Sequence, residues 1–200
     1  MKPKVYVTRP LPIEAVALLK EKCDVEMEES LEPISKKDLI NKLKDKDAVL
    51  VSRTKIDEEI CKAIKGKCKI LANYGVGYDN IDVAAATKNN IFVTYNPNAV
   101  TSATANLTMG LILASTRRIV ESDKSVRNGF KKWGPLNFLG TNLENKYIGI
   151  IGGGRVGTAV AKRAISFDMK VLYTSRRRKK DFENLGASYL DKEELLKKSD

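Results

Sequence analysis

The sequence YIGIIGGGRVGTAVAK, residues 147–162, places an apolar run directly before a cluster of glycines and an amphipathic stretch after it. A short, mostly apolar run bounded by glycines is typical of a buried strand. From Arg155 onward the apolar residues recur with the period of a helix. A strand that turns at once into a helix is half of a parallel βαβ unit, so the pattern predicts an α/β fold with a parallel sheet.

The glycines of this turn include positions 152, 154 and 157, which have the spacing G-x-G-x-x-G. Gly152 allows the tight turn, Gly154 lets the backbone approach a ligand closely, and Gly157 lets the helix pack on the strand. The backbone amides that open the helix, including those of Arg155 and Val156, can then bind an anion. We predict that the turn binds the pyrophosphate of a dinucleotide; the alternative is a purely structural connection between strand and helix.

The next predicted strand, at 170–174, is followed by Ser175, Arg176 and Arg177. An acidic residue usually stands at this point, roughly 20 residues after the glycines, and accepts hydrogen bonds from the ribose hydroxyls of NAD. A carboxylate would repel a 2′-phosphate, whereas a hydroxyl and guanidinium groups bind one. The sequence therefore predicts NADPH as the cofactor in preference to NADH; the alternative is a solvated basic loop.

Residues 1–98 alternate between short apolar runs and amphipathic stretches. Ser35, with an acid three positions later, is a capping-box variant that starts a helix with Leu39, Ile40 and Leu43 on its buried side. The alternation predicts a domain of parallel strands and crossing helices that folds on its own. Strands are expected at 5–7, 25–27, 48–51 (buried on both faces), 70–72 and 91–94, and helices at 13–22, from 35, at 57–64 and at 81–87.

Residues 99–200 begin with a helical pattern from Thr101 to Asn128, about 40 Å long at 1.5 Å per residue. Gly129 is expected to end this helix, and a loop containing Trp133 is expected to reach Asn145. Two strands, at 147–151 and 170–174, then alternate with helices at 155–166 and 192–198. With only two strands, this part has an incomplete sheet with an open apolar edge, so we expect it to be poorly ordered or to associate.

The segment ANYGVGYDNID, residues 72–82, also leaves a strand and enters a helix. Gly75 and Gly77 are close enough for successive backbone amides to converge on a small anion, and Asp79 or Asn80 is expected to cap the helix. Such a turn suits a carboxylate better than a pyrophosphate, because the G-x-x-G part is absent. The alternative is a tight turn followed by a capped helix.

The formal net charge of +11, from 36 lysines and arginines against 25 acids, raises the question of nucleic-acid binding. Only residues 176–180 form a dense basic run, and no zinc-finger or helix-turn-helix spacing accompanies it, so we expect no nucleic-acid partner. Apolar runs are far shorter than the roughly 20 residues that span a bilayer, and residues 1–10 lack a signal-peptide core, so we expect a cytoplasmic protein without membrane contact. Cys23, Cys61 and Cys68 have neither disulfide nor metal-ligand spacing, and we predict no metal site.

Four motifs occur in order along the chain: ANYGVGYDNID, TSATANLTMGLILASTRR, KKWGPLNFLGTNLENKYIGIIGGGRVG and VLYTSRRRKK. Together they resemble the D-isomer-specific 2-hydroxyacid dehydrogenases, and among these the glyoxylate/hydroxypyruvate reductases. The resemblance covers the whole chain. It implies a flavodoxin-like substrate domain at 1–98, followed at 99–200 by a long linking helix and the first part of a Rossmann domain.

The resemblance also implies roles for individual residues. The backbone amides of Val76 and Gly77 match those that hold the substrate carboxylate, and Thr104 matches a position that contacts the cofactor. The turn at 152–157 matches the pyrophosphate site, and residues 175–177 match the 2′-phosphate pocket of the branch that prefers NADPH. A small 2-keto or 2-hydroxy acid is therefore the expected substrate.

Three positions depart from the pattern of the family. Asn106 stands where Asp is usual, and Gly153 stands where Leu or Phe is usual. The sequence Tyr95-Asn96-Pro97 replaces the usual N-T-P. These departures concern local detail and leave the resemblance intact.

The chain contains no histidine. In the family a histidine held by a glutamate donates the proton and an arginine grips the carboxylate, and the resemblance puts all three beyond the position of Asp200. We therefore expect no catalytic residue among these 200 residues. We interpret the chain as a fragment of an NAD(P)H-dependent reductase and expect it to be inactive alone. Its C-terminal half could be separately encoded. The alternative is a catalytically silent nucleotide-sensing or protein-interaction module; since helix 101–128 lies at the subunit interface in the family, a homodimer is expected in either case.

Overall fold

The structure is a computed structural model that describes residues 1–132 and 134–200. Trp133, which belongs to the loop expected before Asn145, lies outside the described residues. The chain divides into two compact units, Met1–Ala99 and Val100–Asp200. Within the described part of the chain, no helix combines the length and the apolar content needed to cross a membrane.

The first unit contains a five-stranded parallel sheet with the strand order β2-β1-β3-β4-β5. This is the order of flavodoxin-like folds, in which the direction of winding reverses between β1 and β3. The predicted α/β fold with parallel strands is confirmed. The strands are β1 (Lys4–Val7), β2 (Asp24–Met27), β3 (Ala48–Val51), β4 (Ile70–Asn73) and β5 (Phe92–Tyr95).

Four helices connect these strands, and short polar side chains start three of them. Ser35 Oγ accepts a hydrogen bond from the amide of Asp38 at 3.2 Å, as the capping pattern predicted. Asp57 and Asp82 cap the two following helices in the same way, at 3.2 and 2.8 Å. The helices are α1 (Ile13–Lys22), α2 (Lys36–Leu43), α3 (Glu58–Ala63) and α4 (Val83–Lys88).

Helix α4 begins later than predicted, and its cap is neither Asp79 nor Asn80. Ile81 forms an isolated parallel bridge with Ile56, so the chain stays extended as far as Asp82. A pairing between residues 25 positions apart overrides the local capping signal, since both backbone groups of Ile56 bond across the bridge.

The core of the first unit lies between its sheet and helices α2, α3 and α4. Leu39 and Leu43 are buried as predicted, and Ile40 is partly buried against them. In β3 the buried residues are Val49 and Val51, whereas Ala48 and Leu50 are half-buried. The prediction that this strand is buried on both faces is therefore correct for only one face.

The second unit contains a three-stranded parallel sheet with the order β6-β7-β8, so the prediction of only two strands was wrong. The missed strand spans two residues and pairs with β7, which places the third strand of the Rossmann order within this chain. The strands are β6 (Tyr147–Ile151), β7 (Lys170–Thr174) and β8 (Ser188–Tyr189). The helices are α5 (Thr101–Thr116), α6 (Ile119–Arg127), α7 (Arg155–Ile165), α8 (Lys180–Glu183) and α9 (Lys192–Lys198).

The continuous helix predicted from Thr101 to Asn128 is instead two helices, α5 and α6. Arg118, between them, has a left-handed backbone with φ of 52°. The carbonyl of Thr116 accepts a hydrogen bond from the amide of Thr141 at 2.8 Å, so the loop after α6 caps the end of α5. Gly129, with φ of 79°, ends α6 as predicted.

The second unit has a hydrophobic core of its own, in which α5 and α7 pack together over the sheet. Tyr173 of β7 and Phe182 of α8 are fully buried and stack with ring centroids 4.6 Å apart. Ala105 and Met109 of α5 belong to the same core. At the other edge of the sheet, Asp200 bonds to both backbone groups of Tyr147, so the first residue of β6 is partnered.

Candidate functional site

The glycine turn between β6 and α7 has the geometry that its spacing predicts. Gly152 has φ of 111°, a backbone conformation that side chains disfavour, and its amide donates to Thr174 at 2.9 Å. A Cβ added at Gly154 would meet no atom within 4 Å, so this position faces open space. A Cβ at Gly157 would collide with the carbonyl oxygen of Gly152 and approach Ile150 Cγ2 at 3.3 Å. Gly152 therefore serves the turn and Gly157 the packing of helix on strand, whereas a role of Gly154 in close approach to a ligand stays a prediction.

Helix α7 presents unsatisfied amides at this turn. Its first intrahelical hydrogen bond runs from Thr158 to the carbonyl of Gly154 at 2.9 Å. The amides of Val156 and Gly157 therefore have no helical acceptor and point toward the N-terminal end of the helix. Arg155, the first residue of α7, is exposed beside them. Together with the helix dipole, these donors can hold an anion such as a pyrophosphate.

A cleft of about 810 Å³ opens at the carboxyl ends of β6 and β7, and we call it the glycine cleft. In open α/β sheets this is the edge at which ligands bind. No acidic residue is among its described lining residues. These are Ile151, Gly152, Gly153, Gly154, Thr174, Ser175, Arg176, Arg177, Lys179 and Lys192.

The three residues predicted to recognise a 2′-phosphate all line the glycine cleft. The hydroxyl of Ser175 donates to the carbonyl of Arg177, so within the loop it fixes the backbone. Arg176 and Arg177 are exposed, and neither guanidinium has an ion-pair partner among the described residues. Ser175 thus supplies a site free of negative charge, and the two arginines supply the unpaired positive charge.

Arg178 is occupied by other contacts. Its Nε donates to Glu183 at 2.7 Å, and its guanidinium lies 5.6 Å from the ring centre of Tyr189. The hydrogen bond from Arg178 lowers the pKa of Glu183, so this carboxylate remains charged at neutral pH and neutralises the arginine. The basic run at 176–180 therefore contains both paired and unpaired cations.

Thr104, at the start of α5, does not line the glycine cleft. Its side chain is exposed. The first two turns of α5 are tied to α7 by Arg163, which donates to Asn106 Oδ1 at 2.8 Å and to Ser102 Oγ at 3.0 Å. Asn106, a departure from the family pattern, accepts this hydrogen bond through its amide oxygen as a carboxylate would. A role of Thr104 in cofactor binding stays a prediction.

The second glycine turn, in the first unit, is supported by a chain of two asparagine amides, one buried and one half-buried. Asn73, only 7 % exposed, donates from Nδ2 to the carbonyl of Gly77 at 2.6 Å. Asn80 donates from Nδ2 to Asn73 Oδ1 at 3.2 Å and to the carbonyl of Thr54 at 3.1 Å. Sequence reasoning missed these asparagines as supports of the turn; their positions at the end of a strand and beside the glycines were the available signal.

The amides of Val76 and Gly77 have no acceptor among the described residues. The carbonyl of Gly75 accepts from the amide of Asn96 at 3.2 Å, and in a trans peptide the next N–H points the opposite way. The amide of Val76 is thereby directed away from Asn96. Neither glycine of the turn has a positive φ, so the turn lacks the alternating backbone typical of an anion nest.

Asp79 acts against anion binding at this turn. Its carboxylate oxygen lies 3.1 Å from the position that a Cβ on Gly77 would take. A negative ligand beside Gly77 would be repelled by this charge, weakly so because Asp79 is exposed to solvent. The two free amides therefore favour a carboxylate while a neighbouring acid opposes it.

Two of the three cysteines, Cys61 and Cys68, are buried thiols that offer no nucleophile at neutral pH. Burial raises the pKa of Cys61 to about 11, and it also raises the pKa of Cys68. Thiols in this state are neutral and behave as small apolar side chains. Two residues that sequence reasoning did not assign, Lys179 and Lys192, line the glycine cleft. Lys192 carried no sequence signal, because it comes from a helix far along the chain from the glycines.

Comparisons with known proteins agree with this geometry. The family described as D-isomer specific 2-hydroxyacid dehydrogenase, catalytic domain, matches residues 5–190. The glyoxylate reductase of Thermococcus onnurineus is 45% identical over 207 residues, which cover 100% of this chain and 62% of that protein. The chain thus spans about three fifths of the length of this relative.

Solved structures give the same result for the fold. A protein from Thermus thermophilus superposes with a TM-score of 0.88 at 39% identity, covering 98% of this chain and 62% of that one. An acyclic imino acid reductase, solved in complex with NADPH and D-Arg, superposes with a TM-score of 0.82 at 31% identity, covering 100% and 63%. With a family match over most of its length and the glycine turn in place, the chain belongs to the D-isomer-specific 2-hydroxyacid dehydrogenase family.

Proposed function

We propose that this chain binds NADP(H) in preference to NAD(H), as part of a reductase of glyoxylate or hydroxypyruvate. The observation that carries the proposal is the acid-free rim of the glycine cleft, where Ser175 is followed by the unpaired cations Arg176 and Arg177. A relative at 45% identity is a glyoxylate reductase, and a neighbouring structure was solved with NADPH. Both support the choice of substrate class and of cofactor.

The residues of the glycine cleft fit a dinucleotide. Gly154 leaves open the space that a side chain would occupy beside the pyrophosphate. The amides of Val156 and Gly157 would hold the phosphate oxygens, and Arg176 and Arg177 would hold a 2′-phosphate. The bound cofactor would supply the hydride; the residues of this chain supply binding and orientation.

Electrostatics favours the phosphorylated cofactor. Hydrogen bonds to charged groups contribute about 1.5–3 kcal/mol each, and exposure to solvent reduces this value. Arg178 is neutralised by Glu183 and adds little. The hydroxyl of Ser175 already donates its hydrogen bond to the carbonyl of Arg177, so we assign the phosphate contacts to the two arginines. Ser175 contributes to selectivity because it places no repelling carboxylate at this position.

Substrate binding is proposed at the second glycine turn. The unbonded amides of Val76 and Gly77 would donate to one carboxylate of a small 2-keto acid. The proton donor of the reaction would be a histidine in this family by resemblance, and these 200 residues contain none. Proton transfer is therefore assigned to no residue of this chain.

Nucleotide binding to the 200-residue chain tests the proposal. Isothermal titration should give a lower Kd for NADPH than for NADH. The double variant Ser175→Asp/Arg176→Ala should reverse the order, with the ratio of dissociation constants changing at least about tenfold. Lys180→Gln, which removes a neighbouring charge outside the cleft, is the matched control and should change neither constant. Equal or stronger binding of NADH by the unmutated chain would refute the proposal.

A second candidate function is nucleotide sensing without catalysis. The exposed apolar residues of α5 and α6, which offer a surface for association, favour it. A sensor should bind NADPH and NADH in the same order of affinity as the proposed reductase. It should also change its self-association or partner binding when a nucleotide binds, which gel filtration with light scattering would detect. Leu107, Leu111, Ile119, Val120 and Val126 on α5 and α6 are exposed apolar residues, and we propose a homodimer through these helices in both cases.

A further inference from the structure

Gly153, which replaces the larger residue usual in the family, has a specific neighbour. A Cβ at this position would lie 2.8 Å from Cγ of Lys179, too close for any real contact. It would also lie 3.4 Å from Oγ of Ser175. The stem of Lys179 therefore lies across the glycine turn, in space that a side chain at 153 would take. Gly153 and Lys179 are coupled: the lysine can occupy this position only because residue 153 has no side chain.

The backbone of Lys179 is held in place by a hydrogen bond to a buried tyrosine. Its amide donates to the hydroxyl of Tyr173 at 2.8 Å. Tyr173 is fully buried, stacked on Phe182 and in edge contact with Tyr189 at 5.4 Å. The backbone of Lys179 is thus constrained by a buried hydroxyl, and the middle of its side chain lies against the glycine turn.

The charge of Lys179 is not used within the protein. Its ammonium has no ion-pair partner among the described residues, although Asp181 and Glu183 closely follow the basic run. It lines the glycine cleft together with Arg176, Arg177 and Lys192, whereas Arg178 and Lys180 do not. A cation that is positioned but unpaired in an acid-free cleft is suited to an anionic ligand.

We propose that Lys179, seated over Gly153, binds the 2′-phosphate of the cofactor and contributes to the selectivity for NADP(H). This inference rests on the proposed function. The 2′-phosphate is the chosen anion because the space beside Gly153 is bounded by both Lys179 and Ser175. Ser175 directly follows β7, at the point where the adenosine ribose is recognised in this fold. The ammonium acts there as a point charge beside the two guanidinium groups.

Binding of two small probes to the full 200-residue chain tests this role. The probes are 2′,5′-ADP and 5′-AMP, which differ only in the 2′-phosphate. Lys179→Gln should weaken 2′,5′-ADP about tenfold, as expected for one charge-assisted contact, and leave 5′-AMP unchanged. Lys180→Gln removes the same charge one residue later, outside the cleft, and should change neither probe. Equal effects of the two variants on 2′,5′-ADP, or an equal loss for both probes in Lys179→Gln, would overturn the assignment.

The coupling to Gly153 is tested separately. Gly153→Ala should weaken 2′,5′-ADP when Lys179 is present and have a smaller effect when residue 179 is glutamine. If the unmutated chain does not prefer 2′,5′-ADP over 5′-AMP, the proposed function fails and this inference with it. If the preference is present and Lys179→Gln retains it, only this inference fails. Circular dichroism of each variant ensures that a loss of binding is not a loss of fold.

Discussion

Gly157→Ala is the substitution whose cost follows most directly from the packing. The added methyl group would meet the carbonyl oxygen of Gly152, Ile150 Cγ2 at 3.3 Å and Phe182 Cζ at 3.4 Å. Overpacking a site of this kind costs about 1–3 kcal/mol, while alanine regains up to about 1 kcal/mol of helix propensity. A backbone oxygen cannot yield without moving the turn, so we expect the upper end of the cost and a net loss of about 2 kcal/mol.

Hydrogen exchange followed by mass spectrometry localises this loss to one unit. A change of about 2 kcal/mol corresponds to roughly 30-fold in the unfolding equilibrium constant. The slowest amides of β6, β7 and α7 should exchange faster by about this factor, and those of β1 and β3 should not change. A single melting temperature would be less informative, because a chain with two units need not unfold in one step.

Gly154→Ala is the matched control within the same turn. A Cβ there meets no atom within 4 Å, and its φ of −89° suits alanine, so the loss of stability should stay at or below about 1 kcal/mol, the difference between glycine and alanine at an N-cap. The methyl group would nevertheless lie where a pyrophosphate approaches, so nucleotide affinity should fall. Unchanged exchange in Gly157→Ala, or a large stability loss in Gly154→Ala, would contradict the assignment of packing to one glycine and ligand approach to the other.

Three further predictions concern acid sensitivity, capping and activity. Hydrogen bonds from Tyr6 and Lys42 hold the pKa of Glu28 at about 2, below its ordinary value, so its contribution to stability is full above about pH 5 and is lost as the pH falls toward 2. Glu28→Gln should therefore lower the urea midpoint at pH 7 and have little effect at pH 2. Asp82→Ala should destabilise the first unit by about 1 kcal/mol in urea titrations, through loss of the α4 cap, while Asp79→Ala should not. A purified polypeptide of residues 1–200 should reduce neither glyoxylate nor hydroxypyruvate with NADPH above a boiled control. No residue of this polypeptide is assigned as proton donor, and general acid catalysis contributes a factor of about 10² to 10⁴ to the rate.

Local sequence signals predicted most elements of both units. Helices Ile13–Lys22 and Lys192–Lys198 and the strands at 147–151 and 170–174 have the predicted bounds. Proline before the first helix and an aspartate cap before the last mark their starts. Each of these elements has either a clear period or a strong boundary residue.

The errors arose where distant contacts decide the structure. Nothing near Arg118 in the sequence breaks a helix; the break coincides with the hydrogen bond from Thr141 to Thr116, contributed by a loop more than 20 residues later. Strand β8 has two residues and no period, and it exists because β7 offers an edge to pair with. Helix α8, also missed, has only four residues and is fixed by the burial of Phe182.

The candidate site was predictable in part. Glycine spacing and the residues after β7 pointed to the glycine cleft, because each lies at the end of a strand. The cleft also receives Lys192 from α9, and the sequence gives no sign that this helix borders the turn at 152–154. Composition alone likewise does not show that Arg178 pairs with Glu183 while Arg176 and Arg177 stay unpaired.

The asparagine amides that support the second glycine turn have a thermodynamic consequence. Asn73 and Asn80 fix the turn through hydrogen bonds internal to the unit. Ordering one backbone residue costs about 1–2 kcal/mol of conformational entropy, and here that entropy is lost when the unit folds. A ligand that meets the amides of Val76 and Gly77 therefore encounters a preorganised receptor, and its binding would be limited by desolvation and by the charge of Asp79 instead of by the freezing of a mobile loop.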